Sequence, residues 1–183
     1  DLLSREFAHT RRKNLLLRDL DELVNQQLAK MLFANPQRID YYDRYQEIID
    51  AYNAEQNRAT IEKTFMDLME LASSLDTEQQ RYVREGFSSD EELSVYDLLF
   101  SENLTKQEIE TIKEVSVDLL TKIKQQIAKL DHWTDKQETK AIVDNLIRNT
   151  LWQELPNSYD VSDIQTYQKK IYEYVYMRYP EVA

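Results

Sequence analysis

Glycine occurs only once in this chain of 183 residues, at Gly86, and proline occurs three times. Tight turns commonly need a residue with positive φ, which glycine supplies, so this scarcity argues against many β-hairpins. Hydrophobic residues still make up 42% of the chain, and its length suffices for one domain with a real hydrophobic core. We therefore predict an all-α fold, in which residues 1–183 form a single helical domain of about six to seven helices.

Apolar residues at helical spacing divide the chain into segments. Residues 3–34 predict a long first helix that ends at Asn35-Pro36, because the residue before a proline avoids the α region. Residues 38–75 contain neither glycine nor proline, and predict either one long helix or two helices with a break near residues 53–57. The strongest pattern follows Thr105, where a capping box precedes apolar residues that recur at spacings of three and four.

Three further polar motifs predict helix starts, at residues 76–79, 89–92 and 162–165. Gly86 stands where a glycine that ends a helix belongs. Tyr172, Tyr174 and Tyr176 alternate in a way that favours a strand. No partner strand is found, and the surrounding residues also fit a helical stripe, so we expect a final helix that ends at Arg178.

Residues 128–156 hold one of the two histidines and both tryptophans of the chain. Thr134 is predicted to cap a helix with Gln137 at its third position, and Trp133 to pack against the first turn as a hydrophobic staple. The buried stripe of this helix is predicted to be Ile142, Leu146, Ile147 and Leu151. His132 is then a connector residue between two helices, an interpretation that we favour over a catalytic role.

The sequence offers few elements of a catalytic or metal site. Cysteine is absent, which excludes thiolate zinc sites and a cysteine nucleophile, and a single glycine cannot form a phosphate-binding loop. His9 and His132 lie far apart in sequence, and the nuclease-like string Glu138-Thr139-Lys140 lies at a predicted helix start. We predict no catalytic residue, no metal site and no cofactor within this chain.

Acidic residues outnumber basic ones, and the formal net charge is −11. An acidic chain is a poor general binder of nucleic acid, because phosphate contacts supply most non-specific affinity. The acid is concentrated in residues 35–100, whereas residues 1–34 are close to neutral. Two local basic groups therefore remain candidates for a nucleic-acid contact, and otherwise form solvated surface: Arg11, Arg12 and Lys13, and Lys136, Lys140 and Arg148.

We expect a cytoplasmic location, since the chain lacks cysteine, a signal-peptide pattern and an apolar run of roughly 20 residues that could cross a membrane. The chain begins at Asp1 without an initiator methionine. We therefore expect it to be part of a longer protein, whose function need not reside in this part.

Four strings of the sequence together resemble a known family: LDHWTDKQETKAIVDNLIRNTLWQELP, YDRYQEIIDAYNAE, DEELSVYDLLF and YQKKIYEYVYMRY. They are similar to the extreme C-terminal region of the R subunit of type I restriction-modification enzymes, and most similar to the subgroup called type IC. The resemblance covers residues 40–179.

The resemblance implies a large cytoplasmic parent that uses ATP and Mg²⁺ to move DNA and cut it. In such proteins a nuclease domain and two helicase-like ATPase domains precede the C-terminal helical parts, so residues 1–35 are a candidate link to the motor. The resemblance also implies assembly with methyltransferase and specificity subunits. It carries over no catalytic residue, because the nuclease and motor motifs are not found in this sequence.

Two functions follow as expectations. The first is a non-catalytic assembly module, for which we select the aromatic-rich candidates because interfaces favour aromatic residues and arginine: His132, Trp133, Trp152, Tyr172 and Tyr176. The second is a module that contacts duplex DNA through the two basic groups named above. Both can hold at once, because a docking part of a DNA motor can lie beside the DNA.

Overall fold

The computed structural model describes residues 13–55 and 57–180. Within these ranges the chain forms eight α-helices and one 3-10 helix and contains no strand: α1 Lys13–Ala34, the 3-10 helix Pro36–Arg38, α2 Ile39–Ala54, α3 Arg58–Gln79, α4 Arg81–Arg84, α5 Asp90–Leu99, α6 Lys106–Ile127, α7 Gln137–Glu154 and α8 Val161–Arg178. The all-α prediction is confirmed. The described residues already contain more helices than the six to seven predicted.

Contacts within the chain divide it into two compact units, Asp1–Arg81 and Tyr82–Ala183. Each unit contains its own cluster of buried apolar side chains, and each is therefore described by itself. The organisation of residues 1–183 as one domain stays a prediction.

The first unit is built around α3, which packs against both α1 and α2. Asn35 ends α1, and its side-chain oxygen accepts a hydrogen bond from the Gln37 backbone at 3.1 Å, which starts the 3-10 helix at Pro36. Asn57 caps α3 by accepting from the Thr60 backbone at 2.9 Å. Of the two alternatives for residues 38–75, the pair of helices is the correct one.

The prediction that a helix starts at residues 76–79 is wrong, because α3 runs through them to Gln79. Glu78 is buried, and its carboxylate accepts hydrogen bonds from Arg38 Nε at 3.0 Å and from Arg81 Nη1 at 2.9 Å. A buried carboxylate without such partners would be strongly destabilising. Continued helix places Glu78 beside both arginines.

Gly86 ends α4 in the way that the sequence predicts. Its φ is 86°, its backbone N–H donates to the Val83 carbonyl at 3.2 Å, and the Phe87 N–H donates to the Tyr82 carbonyl at 2.8 Å. This pair of hydrogen bonds is the Schellman arrangement, which a glycine after the helix makes accessible.

Four helices of the second unit pack in a closed ring, α5 on α6, α6 on α7, α7 on α8 and α8 on α5. This is the arrangement of a four-helix bundle. The capping box at the start of α6 is present as predicted: Glu108 N–H donates to Thr105 Oγ1 at 3.3 Å, and Thr105 N–H donates to the Glu108 carboxylate at 2.8 Å. The predicted cap at Ser89, before α5, is also present.

Two predicted helix starts are displaced by two residues. The last helix is capped by Asp160, paired reciprocally with Asp163, rather than by Ser162. Helix α7 has Lys136 at its N-cap position rather than Thr134, and no side chain caps it. The buried side of α7 consists of Val143, Ile147, Thr150 and Leu151, so the prediction that Ile142 is buried is wrong.

Candidate partner and nucleic-acid interface

Trp133 belongs to the interior of the second unit, with 1% of the residue exposed. Its indole Nε1–H donates a hydrogen bond to the Tyr179 carbonyl at 2.6 Å. Its ring lies edge-on to Tyr172 and Tyr176, at centroid distances of 6.1 and 5.7 Å. The predicted packing role of Trp133 is therefore larger than a staple, and its side chain presents no surface for the partner contact that we expected of it.

A hydrogen-bonded turn precedes α7, and the helix begins after it. His132 has a φ of 45°, in the left-handed region, and its carbonyl accepts from the Asp135 backbone at 3.0 Å. Thr139 Oγ1 donates toward the Trp133 carbonyl at 2.8 Å, so the loop is tied to the first turn of α7. His132 is exposed and lies in the connector between α6 and α7, where the sequence placed it.

Three predicted site residues come together on the surface over Trp133. Tyr172 and Tyr176 lie one turn apart on α8, with ring centroids 6.1 Å apart, and Tyr176 is 39% exposed. The Lys140 ammonium of α7 lies 5.7 Å from the centroid of the Tyr176 ring, a distance typical of a cation–π contact. Burial, followed by the charge of Asp144, raises the pKa of the Tyr172 hydroxyl. The phenol therefore stays neutral near pH 7.

A polar groove of about 480 Å³ runs between α7 and α8 beside this surface. It is lined by Gln137, Lys140, Ala141, Asp144, Gln165, Gln168, Lys169 and Tyr172. Gln168 Nε2 donates to the Asp144 carboxylate across the groove at 2.9 Å, which links α8 to α7. We call this the α7–α8 groove.

A second surface lies on the outward side of α7. Ile142 and Trp152 are 42% and 49% exposed, and the exposed Asn145 and Asn149 lie between them at helical spacing. Arg148 is exposed beside the same stripe. We define the outer face of α7 as these five residues. Arg148 is the charged member of this set, and the exposed Glu138 lies one turn before Ile142 on the same side of the helix.

The sequence analysis selected Trp152 as a candidate partner residue. It did not select Ile142, Asn145 or Asn149, because Ile142 was assigned to the buried stripe. A second apolar pattern in the sequence could have corrected this assignment. Val143, Ile147, Thr150 and Leu151 also form a helical stripe, and choosing it leaves Ile142 and Trp152 together on the outside.

The structure describes four of the six basic candidates. Arg11 and Arg12 lie outside the described residues. Lys13 forms an ion pair with Glu62, and hydrogen bonds from Lys13 and Arg58 lower the pKa of that carboxyl. Lys13 is thus already engaged by a carboxylate of its own unit.

Lys136 and Arg148 are exposed, whereas Lys140 lines the α7–α8 groove. Lys140 and Arg148 are eight residues apart on a helix, which corresponds to about 12 Å along the axis and about 80° around it. The three basic side chains of this group are therefore spread around the helix rather than aligned along one side of it. None of the ion pairs among the described residues involves Lys136, Lys140 or Arg148.

Within residues 13–55 and 57–180, no three histidine, aspartate or glutamate side chains lie close enough together to hold a metal ion. The same residues contain no helix that is both long and apolar enough to cross a membrane.

A family model described as "Type I restriction enzyme HindI endonuclease subunit-like, C-terminal" matches residues 1–179. The match extends the resemblance noted in the sequence to almost the whole chain. No curated protein and no solved structure matches the chain.

Proposed function

The chain belongs to the family of C-terminal regions of type I restriction enzyme endonuclease subunits, and from this premise we propose that it is a non-catalytic docking module. It holds the endonuclease subunit on the methyltransferase and specificity subunits of a larger complex. The ATP- and Mg²⁺-dependent movement and cleavage of DNA belong, in this proposal, to other parts of the parent protein.

The observation that carries the proposal is the outer face of α7. Its ends, Ile142 and Trp152, are ten residues apart, or about 15 Å along the helix. Half-exposed tryptophan and isoleucine leave apolar area in water, and covering that area by a partner is favourable. Tryptophan and arginine are also the residues most enriched among those that dominate binding energy, and Trp152 and Arg148 lie one turn apart.

The polar side chains of this face can orient a bound partner. Asn145 and Asn149 are exposed and offer amide donors and acceptors without the desolvation penalty of a full charge. Arg148 can pair with a carboxylate of the partner, because no carboxylate among the described residues pairs with it. We therefore expect a partner surface that is apolar at its centre and carries an acidic group.

The test is the affinity of the 183-residue chain for the purified complex of methyltransferase and specificity subunits, measured by calorimetry. We expect Trp152→Ala to weaken binding by at least about 30-fold, the magnitude of a dominant interface residue. Ile142→Asp should weaken it as well, since it places a charge within the apolar face.

Met66→Ala is the matched control, because Met66 is 55% exposed on α3 of the first unit. It should leave the affinity unchanged. Equal affinity of the original chain, Trp152→Ala and Ile142→Asp would show that docking does not use this face.

A contact with duplex DNA is a second function that we propose, favoured by Lys136, Lys140 and Arg148, which pair with no carboxylate among the described residues. It predicts binding that weakens steeply with salt and is reduced by Lys136→Gln and Arg148→Gln. Undetectable binding of the chain to duplex DNA at low salt would exclude it.

A further inference from the structure

We propose that the α7–α8 groove binds single-stranded DNA, with a base stacked on Tyr172 and with phosphates held by Lys140 and Lys169. This inference is independent of the docking face, since neither Ile142 nor Trp152 lines the groove. The proposed ligand is single-stranded DNA rather than the duplex considered above, and its site is the groove rather than the exposed basic residues Lys136 and Arg148.

The aromatic element of the site is a ring held in a fixed orientation. Tyr172 lines the groove and is backed by Trp133, whose ring lies edge-on to it at an interplanar angle of 86°. Trp133 is in turn fixed by its hydrogen bond to the Tyr179 carbonyl. Aromatic rings in such settings serve as stacking platforms for unpaired bases, because every base presents a π-face.

Two lysines flank this ring from different helices. Lys140 extends from α7 and has no carboxylate partner among the described residues. Lys169 extends from α8. Among the described residues it forms one ion pair, an exposed one with Glu173 at 3.9 Å. An exposed pair of this kind is weak and exchanges readily, so both ammonium groups are available to phosphate oxygens.

The groove lining also contains the Asp144 carboxylate, which by itself would repel DNA. The Asp144 carboxylate accepts a hydrogen bond from Gln168, and two lysines against one aspartate leave the lining with one net positive charge. Gln137 and Gln165 are exposed and can offer donors and acceptors to a base edge.

Another groove of the second unit, among the described residues, shows the opposite charge. Its volume is about 540 Å³, and its charged lining consists of Glu85, Glu110, Glu114, Asp118 and Lys113. Four carboxylates against one lysine would repel a polyanion. The two grooves are similar in size but differ in the net charge of their lining residues. Of these two, the α7–α8 groove is the one whose charge is compatible with nucleic acid.

The test uses the 183-residue chain and a fluorescein-labelled oligothymidylate, followed by fluorescence anisotropy at several salt concentrations. Two phosphate contacts predict a slope of about −1.4 in a plot of log K against log salt concentration. Tyr172→Leu should weaken binding about five- to hundredfold, the range found for loss of one stacked base. Tyr172→Phe keeps the ring and should bind like the original chain.

Lys140→Gln and Lys169→Gln should each weaken binding and reduce the salt slope by about 0.7. Lys106→Gln is the charge-matched control, since Lys106 is exposed at the start of α6 and does not line the groove. An oligomer of abasic sugar-phosphate should bind weakly and should not distinguish Tyr172→Leu from the original chain.

Absence of oligothymidylate binding at low salt would overturn the proposal. It would also be overturned by binding that Tyr172→Leu and both lysine variants leave unchanged, or by duplex binding tighter than single-strand binding and independent of Tyr172. Circular dichroism of each variant confirms that the helices are retained. Because Trp152→Ala tests docking and leaves this groove intact, failure of one proposal does not imply failure of the other.

Discussion

Trp133 connects the loop before α7 to the C-terminal end of α8 through one hydrogen bond and two ring contacts. Its position before a helix predicted packing, and that part of the expectation holds. The acceptor, the Tyr179 carbonyl, is 46 residues further along the chain. No local pattern encodes a contact over that separation, which is why the sequence left Trp133 among the surface candidates.

Replacement of Trp133 by phenylalanine should lower the free energy of unfolding by about 1–3 kcal/mol, because the Tyr179 carbonyl loses its donor in a buried setting. Urea denaturation followed by circular dichroism at 222 nm measures the change. Trp152→Phe is the control, and should remain within about 0.5 kcal/mol because Trp152 is half exposed. Equal stability of the two variants would contradict the structural role of the indole N–H.

Glu91 is one residue through which pH should act on the stability of the second unit. Burial alone would raise the pKa of its carboxyl, but the hydrogen bond and charge of Lys124, with Arg178 at 3.7 Å, hold that pKa below its ordinary value. A carboxyl with a depressed folded-state pKa contributes stability that is present above its unfolded pKa of about 4.3. That contribution is lost as pH falls through the folded-state pKa.

We therefore expect Glu91→Gln to be less stable than the original chain at pH 7. The difference in stability between the two proteins should become smaller as pH falls from about 5 to about 3. Thermal unfolding across this range measures it. Glu173→Gln serves as the comparison, because the pair that Glu173 forms with Lys169 is exposed and therefore weak. A Glu91→Gln difference that stays constant with pH would show that the charge of Glu91 does not stabilise the fold.

Capping motifs gave the starts of α5 and α6 correctly, but they misplaced the starts of α7 and α8 and predicted a start at residues 76–79, where α3 continues. At α6, Thr105 and Glu108 are the reciprocal pair that the sequence indicates. At α8, Asp160 and Asp163 compete with the motif at Ser162, and Asp160 is the cap. Its neighbour Tyr159 is buried, and the Tyr159 hydroxyl donates to the Leu99 carbonyl at 2.7 Å. That tertiary contact selects between the two motifs and is not visible in local sequence.

Asp160→Ala should destabilise the second unit by about 0.5–2 kcal/mol, since it removes the side chain that accepts from the Asp163 backbone at 2.8 Å. Ser162→Ala should change stability little, because Ser162 is exposed within the first turn and does not cap the helix. Chemical denaturation of both variants measures these changes in the free energy of unfolding. A larger loss in Ser162→Ala than in Asp160→Ala would contradict the cap assignment.

At the scale of the whole molecule, composition was enough to predict the fold class. One glycine and an abundance of residues that favour helices exclude most alternatives to helix. The division into two units was not predicted, because the boundary between Arg81 and Tyr82 falls within the short helix α4, where neither glycine nor proline marks it. Cores form from contacts between distant segments, and sequence periodicity reports only which side of each helix is buried.

The candidate sites show the same limit. Tyr172, Tyr176 and Lys140 were selected for aromaticity and charge, and the structure brings them together over Trp133. Gln165 and Lys169 were not selected, because only the packing of α8 on α7 places them opposite Lys140. Individual residue types can be chosen from sequence, whereas a groove depends on how two helices pack.

The measurement that tests the docking function most directly is a calorimetric titration of the chain into the methyltransferase–specificity complex. It is made with and without duplex DNA, at about 50 and about 200 mM salt. A docking module that binds chiefly through the apolar Ile142 and Trp152 of the outer face of α7 should bind without DNA, with an affinity that changes little between the two salt concentrations. Binding only in the presence of DNA and only at low salt, or no binding under any of these conditions, would contradict the docking function.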